Sequence, residues 1–143
     1  MRRVALALAL VLAAAAGSPA VASHKEPLYE AYEVTAPVPY AVDGASHCTD
    51  GVEGLTKNTR PLTLPDRGLL EIELSGYLAD WVLELFDAKG KMLGQAAQFA
   101  PANTSPKVSM TYKKATPGQK VRIVACNVKG GPKAKVAYTF TFR

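Results

Sequence analysis

The chain has 143 residues, with 17 lysines and arginines against 12 aspartates and glutamates, and only two cysteines. Its length accommodates one domain with a modest core and excludes a second of similar size. The net charge of +5 hides an uneven distribution, because all twelve acidic residues lie at or before Asp87 and eleven basic ones follow it.

Residues 1–22 read as an export signal: Arg2 and Arg3 give a positive start, Val4 to Ala16 an apolar run, and Ala20-Val-Ala22 a small-residue cleavage site. The apolar run is shorter than the about 20 residues a membrane span requires, and no cysteine follows it to accept a lipid. A secreted protein beginning at Ser23, without a transmembrane segment, is expected. In an exported chain two cysteines favour a disulfide over free thiols or a metal site, so Cys48 and Cys126 are expected to be joined.

From Ser23 to Tyr40 the residues Tyr29, Tyr32 and Val34 suggest extended chain, while Pro27, Pro37 and Pro39 each remove a backbone donor. Residues 23–47 are therefore expected to form an edge strand or docked arm and a loop. Asp43 to Asn58, rich in Gly, Ser, Thr and Asp around Cys48, reads as a loop. Arg60 to Leu64 reads as a short strand, and Leu64-Pro-Asp-Arg-Gly68 as a turn.

The stretch from Leu69 to Lys91 organises the rest. Leu70, Ile72 and Leu74 alternate with Glu71, Glu73 and Ser75, and Trp81, Leu83 and Leu85 alternate with Val82, Glu84 and Phe86. That period of two marks strands with one face on a core. It also makes Trp81 a core residue rather than an exposed platform for a sugar ring. Asp87-Ala-Lys-Gly90 supplies a hairpin turn into a third strand from Lys91 to Ala97.

Beyond the proline-bounded loop 101–106, Val108, Met110 and Tyr112 alternate with Ser109, Thr111 and Lys113. Thr116-Pro-Gly-Gln119 is a type II turn signal. Lys120 to Asn127 forms the next strand, Gly130-Gly-Pro132 breaks it, and Val136, Tyr138, Phe140 and Phe142 mark the last. Short strands between turns, about seven to nine, with no helical period, predict an all-β fold: a single antiparallel β-sandwich, jelly-roll-like, with a closed barrel as the alternative.

From Cys48 to Arg143 the chain resembles the bacterial pre-peptidase C-terminal (PPC) domain family, β-sandwiches usually appended to secreted proteases and other exported enzymes. The residues that carry the resemblance are Gly68-Leu-Leu-Glu-Ile-Glu-Leu74, Ala79-Asp-Trp-Val-Leu-Glu-Leu-Phe-Asp87, the Gly90 turn, Pro117-Gly118 before Val121-Arg-Ile-Val124, and Tyr138-Thr-Phe-Thr-Phe142. Family members commonly place a glycine, two acids one residue apart and a later tyrosine along the central strand. This chain keeps Asp80 but has Ala79 for the glycine, Val82 for the second acid and Glu84 for the tyrosine. The resemblance implies an accessory role, performed in trans with a secreted enzyme or by binding alone.

Catalysis finds little support, since adjacent His47 and Cys48 point to opposite sides of an extended chain and Cys48 is expected to be oxidised. The expected protein is a monomer, not an enzyme, and needs no cofactor. Calcium is the nearest metal alternative, with Asp43, Asp50, Glu53, Asp80 and Asp87 in loops or at strand ends offering hard oxygen ligands. Asp87 reads equally as a turn residue and Asp80 as a strand-entry cap. Copper is a second alternative, should cleavage after Ser23 expose His24 as an N-terminal residue, with His47 as the other available histidine. Asn103-Thr-Ser105 matches a glycosylation sequon, a pattern of low specificity.

The charge asymmetry has two readings. Residues 23–87 carry four basic and twelve acidic side chains, net −8, and residues 88–143 carry eleven basic ones and no acid. Either the basic C-terminal strands lie beside the acidic N-terminal ones and pair with them, or the lysines form a basic surface. For the second reading Lys107, Lys113, Lys120, Lys133 and Lys135 are the binding candidates, and an anionic cell-wall or extracellular polymer is the partner. Nucleic acid is disfavoured by export and by the acidic first half.

Overall fold

A computed structural model describes residues 25–40, 47–101 and 103–143. The expected signal peptide, His24 and Asp43 lie outside the described residues. Eight strands follow in order: β1 Leu28–Thr35, β2 Lys57–Thr63, β3 Gly68–Ser75, β4 Ala79–Asp87, β5 Met92–Gln98, β6 Val108–Ala115, β7 Lys120–Gly130 and β8 Lys133–Phe142. They form two four-stranded sheets, β1-β8-β3-β6 and β2-β7-β4-β5, in which every neighbouring pair is antiparallel.

The order is that of a long hairpin rolled up. β4 pairs with β5, β3 with β6, β2 with β7 and β1 with β8, and successive pairs alternate between the sheets. This is the jelly-roll arrangement of a β-sandwich, as expected from the strand pattern. β3 and β4, adjacent in sequence, therefore lie in different sheets, and Tyr77 and Leu78 cross between them.

Local chemistry explains the turns. The Asp87 carboxylate accepts backbone N–H bonds from Lys89 at 2.8 Å and Lys91 at 2.9 Å, and Gly90 takes φ 86°, closing the β4–β5 hairpin. Gly118 takes φ 72° and the Gln119 N–H bonds the Thr116 carbonyl, as the type II turn requires. Asp80, the second residue of β4, accepts the Ala100 N–H at 2.7 Å and so ties the chain that leaves β5 to the start of β4.

Between the sheets lie Leu70, Ile72 and Leu74 of β3, Val136 and Phe140 of β8, Trp81, Leu83 and Leu85 of β4, and Val121, Ile123 and Ala125 of β7. Each large apolar side chain so buried contributes about 1.5–3 kcal/mol. Trp81 is in this core, its indole N–H donating to the Gly131 carbonyl at 3.2 Å.

Two expectations need correction. β4 and β7 are not one-sided, because Val82, Glu84, Val124, Cys126 and Val128 on the opposite face are also buried. Covering them is the segment around Cys48, which makes a second apolar cluster with Val82, Val124, Cys126 and Val128. The Cys48–Cys126 disulfide fastens that cover to β7 across 78 residues of sequence. The second correction concerns the strand expected from Arg60 to Leu64. It begins at Lys57, because the backbone of residues 57–59 continues the ladder to β7 opposite Cys126, Ala125 and Val124.

Candidate functional site

The outer face of the second sheet is a grid of side chains set by the strand register. Pro61 of β2, Arg122 of β7 and Phe86 of β4 form one row, Thr59, Val124 and Glu84 the next, and Lys57, Cys126 and Val82 a third. Successive rows on one face are about 6.8 Å apart. Cys48 and Thr49 wall this grid at one end and Gly90 of the β4–β5 turn at the other. Between them lies a cavity of about 230 Å³, lined also by Lys57, Thr59, Glu84, Phe86, Arg122 and Val124. A second cavity of about 510 Å³ adjoins it, sharing Arg122 and lined by Pro61, Thr63 and Lys120 among others.

Glu84 is fully buried at the floor of this face. Its Oε1 accepts the Cys48 backbone N–H at 3.2 Å, and His47 Nδ1 lies 3.1 Å from the same oxygen and donates to it when it carries a proton. Oε2 has no hydrogen-bond partner. A buried carboxylate without a full set of partners is costly, so Glu84 is the most demanding side chain on this face. His47 and Cys48 thus act as holders of Glu84, and Cys48 is oxidised.

Two cations border the cavity. Lys57 Nζ sits 3.4 Å from the Cys48 carbonyl oxygen and 3.5 Å from that of Thr49, long contacts that leave an ammonium donor free. Arg122 is exposed, with its guanidinium carbon 6.0 Å from the centre of the Phe86 ring. Among the described residues five ion pairs form, and none of them takes Lys57, Lys120 or Arg122.

The five lysines expected as a basic surface are divided. Lys133 pairs with Glu33 at 2.8 Å and Lys107 with Glu73 at 2.7 Å. Lys135 stands opposite Glu33 in the β1–β8 ladder and Lys113 lies on β6, so Lys113, Lys133 and Lys135 belong to the first sheet, Lys107 immediately precedes β6, and only Lys120 belongs to the second. Arg60 and Glu30 form a further pair of opposite charges. In the first sheet β1 and β3 lie on either side of β8, and β3 beside β6, and Lys133–Glu33 and Lys107–Glu73 are two pairs of an acidic N-terminal strand with a basic C-terminal residue.

The acidic candidates are dispersed. Asp80 and Asp87 hold backbone N–H groups, Glu53 accepts from the Thr59 N–H and hydroxyl, each at 2.7 Å, and Asp50 lies 3.5 Å from the Tyr40 hydroxyl. Among the described residues no three His, Cys, Asp or Glu side chains are grouped so as to hold a metal ion, and no helix is long and apolar enough to cross a membrane. Lys57, Arg122 and Glu84 were not among the sequence-based site candidates. A signal for Glu84 existed: it sits between Val82 and Phe86 on a face that Val124, Cys126 and Val128 also make apolar.

Comparison of the chain with family models and with curated proteins finds no match.

Proposed function

We propose that the protein is an exported, non-enzymatic β-sandwich module that binds anionic polymer of the cell surface or extracellular matrix on the outer face of its second sheet. The observation that carries this reading is the line of Lys57, Arg122 and Lys120 along two adjoining cavities, all without a carboxylate partner among the described residues, whereas Lys107 and Lys133 on the other side of the sandwich are paired with Glu73 and Glu33. Unpaired cations along a groove create a field that attracts polyanions with little demand on shape. Export is supported by the N-terminal pattern and by the disulfide, a bond that persists in oxidising compartments. An accessory role in the manner of PPC domains belongs to the same reading. Ala79, where that resemblance expects glycine, takes φ 62°, a conformation glycine adopts most readily.

Retention of the exported protein on heparin or purified anionic cell wall across a salt series tests the reading. Attraction of this kind is screened over about 8 Å at physiological ionic strength, so retention should fall steeply with added salt. K57Q/R122Q/K120Q should abolish it, and K107Q/K113Q/K133Q/K135Q, on or next to the first sheet, should leave most of it. The opposite ranking, or no retention of the unaltered protein at low salt, would overturn the proposal.

A further inference from the structure

We infer that the cavity over Glu84 is a subsite for a single hydroxylated acid residue, of uronate type, and that Glu84 separates such a residue from a bare anion. The inference rests on the polyanion reading above and names the chemistry of the unit held.

A site built only for anions converges donors and keeps carboxylates away. Here a fully buried carboxylate lies between two cations, with Lys57 and Arg122 four residues apart in the register along β7, about 14 Å between their Cα positions. Both line the same cavity as Glu84. Oε2 of that carboxylate lacks a donor, although Oε1 has the Cys48 N–H and faces His47. Buried polar atoms in folded proteins are nearly always satisfied, so the unmatched oxygen indicates what a ligand must bring.

Three ligand classes can be compared on these atoms. Sulfate would meet Lys57 and Arg122 but brings no hydroxyl donor for Oε2. A neutral sugar brings hydroxyls but leaves both cations unmatched. A uronate supplies a planar carboxylate suited to the fork of Arg122, a hydroxyl to donate to Oε2, and a ring face to set against Phe86. The cavity of about 230 Å³ is below the roughly 300–1,000 Å³ of sites for drug-sized ligands, so it accommodates one such residue. The adjoining cavity beyond Arg122 takes the next residue of the chain. Because Oε2 is sealed from solvent, the hydroxyl reaches it only as a bordering side chain yields. Arg122, exposed and outside every ion pair among the described residues, is available to take the carboxylate.

The test is a titration of the nitrogen-15-labelled exported protein with sodium glucuronate, glucose and sodium sulfate at matched ionic strength, following the amides of Thr59, Val124 and Phe86. Glucuronate should shift them saturably at a concentration roughly tenfold below either control, the scale of one hydrogen bond to a charged group. Sulfate matching glucuronate would show a bare-anion site, and glucose matching it a neutral-sugar site; either overturns the inference. No shift with glucuronate from a protein still retained on the polymer column also overturns the subsite, while leaving the wider reading intact. Glu84→Gln should bring sulfate and glucuronate to similar affinity, and an unchanged ratio counts against the inference. Should that variant fail to fold, Arg122→Gln decides, because it must weaken glucuronate about tenfold with little effect on glucose.

Discussion

Two glycines with positive φ separate backbone strain from collision. Gly118 takes φ 72° with open space around a would-be Cβ, so Gly118→Ala carries only the left-handed penalty of about 1–2 kcal/mol. Gly130 takes φ 146°, and a Cβ there would lie 2.0 Å from the Leu78 carbonyl oxygen, a backbone atom that cannot rotate away. Gly130→Ala is expected to destabilise by about 4 kcal/mol or more, beyond the usual range for single substitutions. Urea denaturation of the two variants checks the contrast, and equal midpoints would show that the β4 entry adjusts freely. The left-handed Ala79 opposite Gly130 in the ladder shows why this corner is tight.

Among the elements, the segment from Cys48 to Thr56 is what turns an ordinary sheet face into a cavity. Its attachments to the second sheet include the disulfide, the Cys48 N–H on Glu84, and the Thr56 carbonyl accepting from the Asn127 N–H at 3.0 Å. Closing a loop of this length stabilises by about 4.5 kcal/mol on the chain-entropy account. The apolar core between the sheets makes no use of the bond. C48A/C126A is therefore expected to lower stability by about 3–4 kcal/mol while keeping the sandwich. Hydrogen exchange should then accelerate first at Gly51, Thr56 and Lys57, while Glu71 and Glu73, on either side of Ile72 in the interior strand β3, respond more slowly. Uniform acceleration in every strand would show that the disulfide supports the whole fold rather than its cover.

For the molecule as a whole, alkaline pH probes how the two sheets are held. Burial, together with the Asp80 charge, pushes the Tyr77 phenol up to about 12. Burial and a 2.5 Å hydrogen bond donated to Glu30 raise Tyr138 to about 12 as well. Burial likewise raises Tyr32, against the opposing effect of Arg60. A phenol whose folded value lies above its unfolded value of about 10 favours the folded state while protonated. Stability from these groups is thus complete below about pH 10 and is lost as pH rises toward 12. Tyrosinate absorbance should reveal phenols that ionise together with loss of the fold in that window, and Tyr138→Phe should shift the transition upward. Smooth ionisation of all tyrosines near pH 10 with the fold intact would contradict this account.

Whatever depends on neighbouring residues is legible in the sequence. Alternation at a period of two located β3, β4, β6, β7 and β8, Asp87 to Gly90 specified the hairpin, and Pro117-Gly118 the turn, because side-chain direction and turn dihedrals are local properties of the backbone. Two cysteines in a chain with an export pattern left one pairing to expect. Which sheet each strand joins, and what covers each face, came only with the assembled fold. β3 and β4 separate because the rolled hairpin places each strand beside a partner distant in sequence. Glu84 looked like one polar position on an alternating strand, and it is buried because residues 36 and 37 positions earlier fold over it. The lysines were legible as a charge run, but their division between the sheets, with Glu33 and Glu73 beside two of them, follows from strand order. Electrostatic partners are fixed by proximity in space, and periodicity along one strand carries no information about the strand next to it.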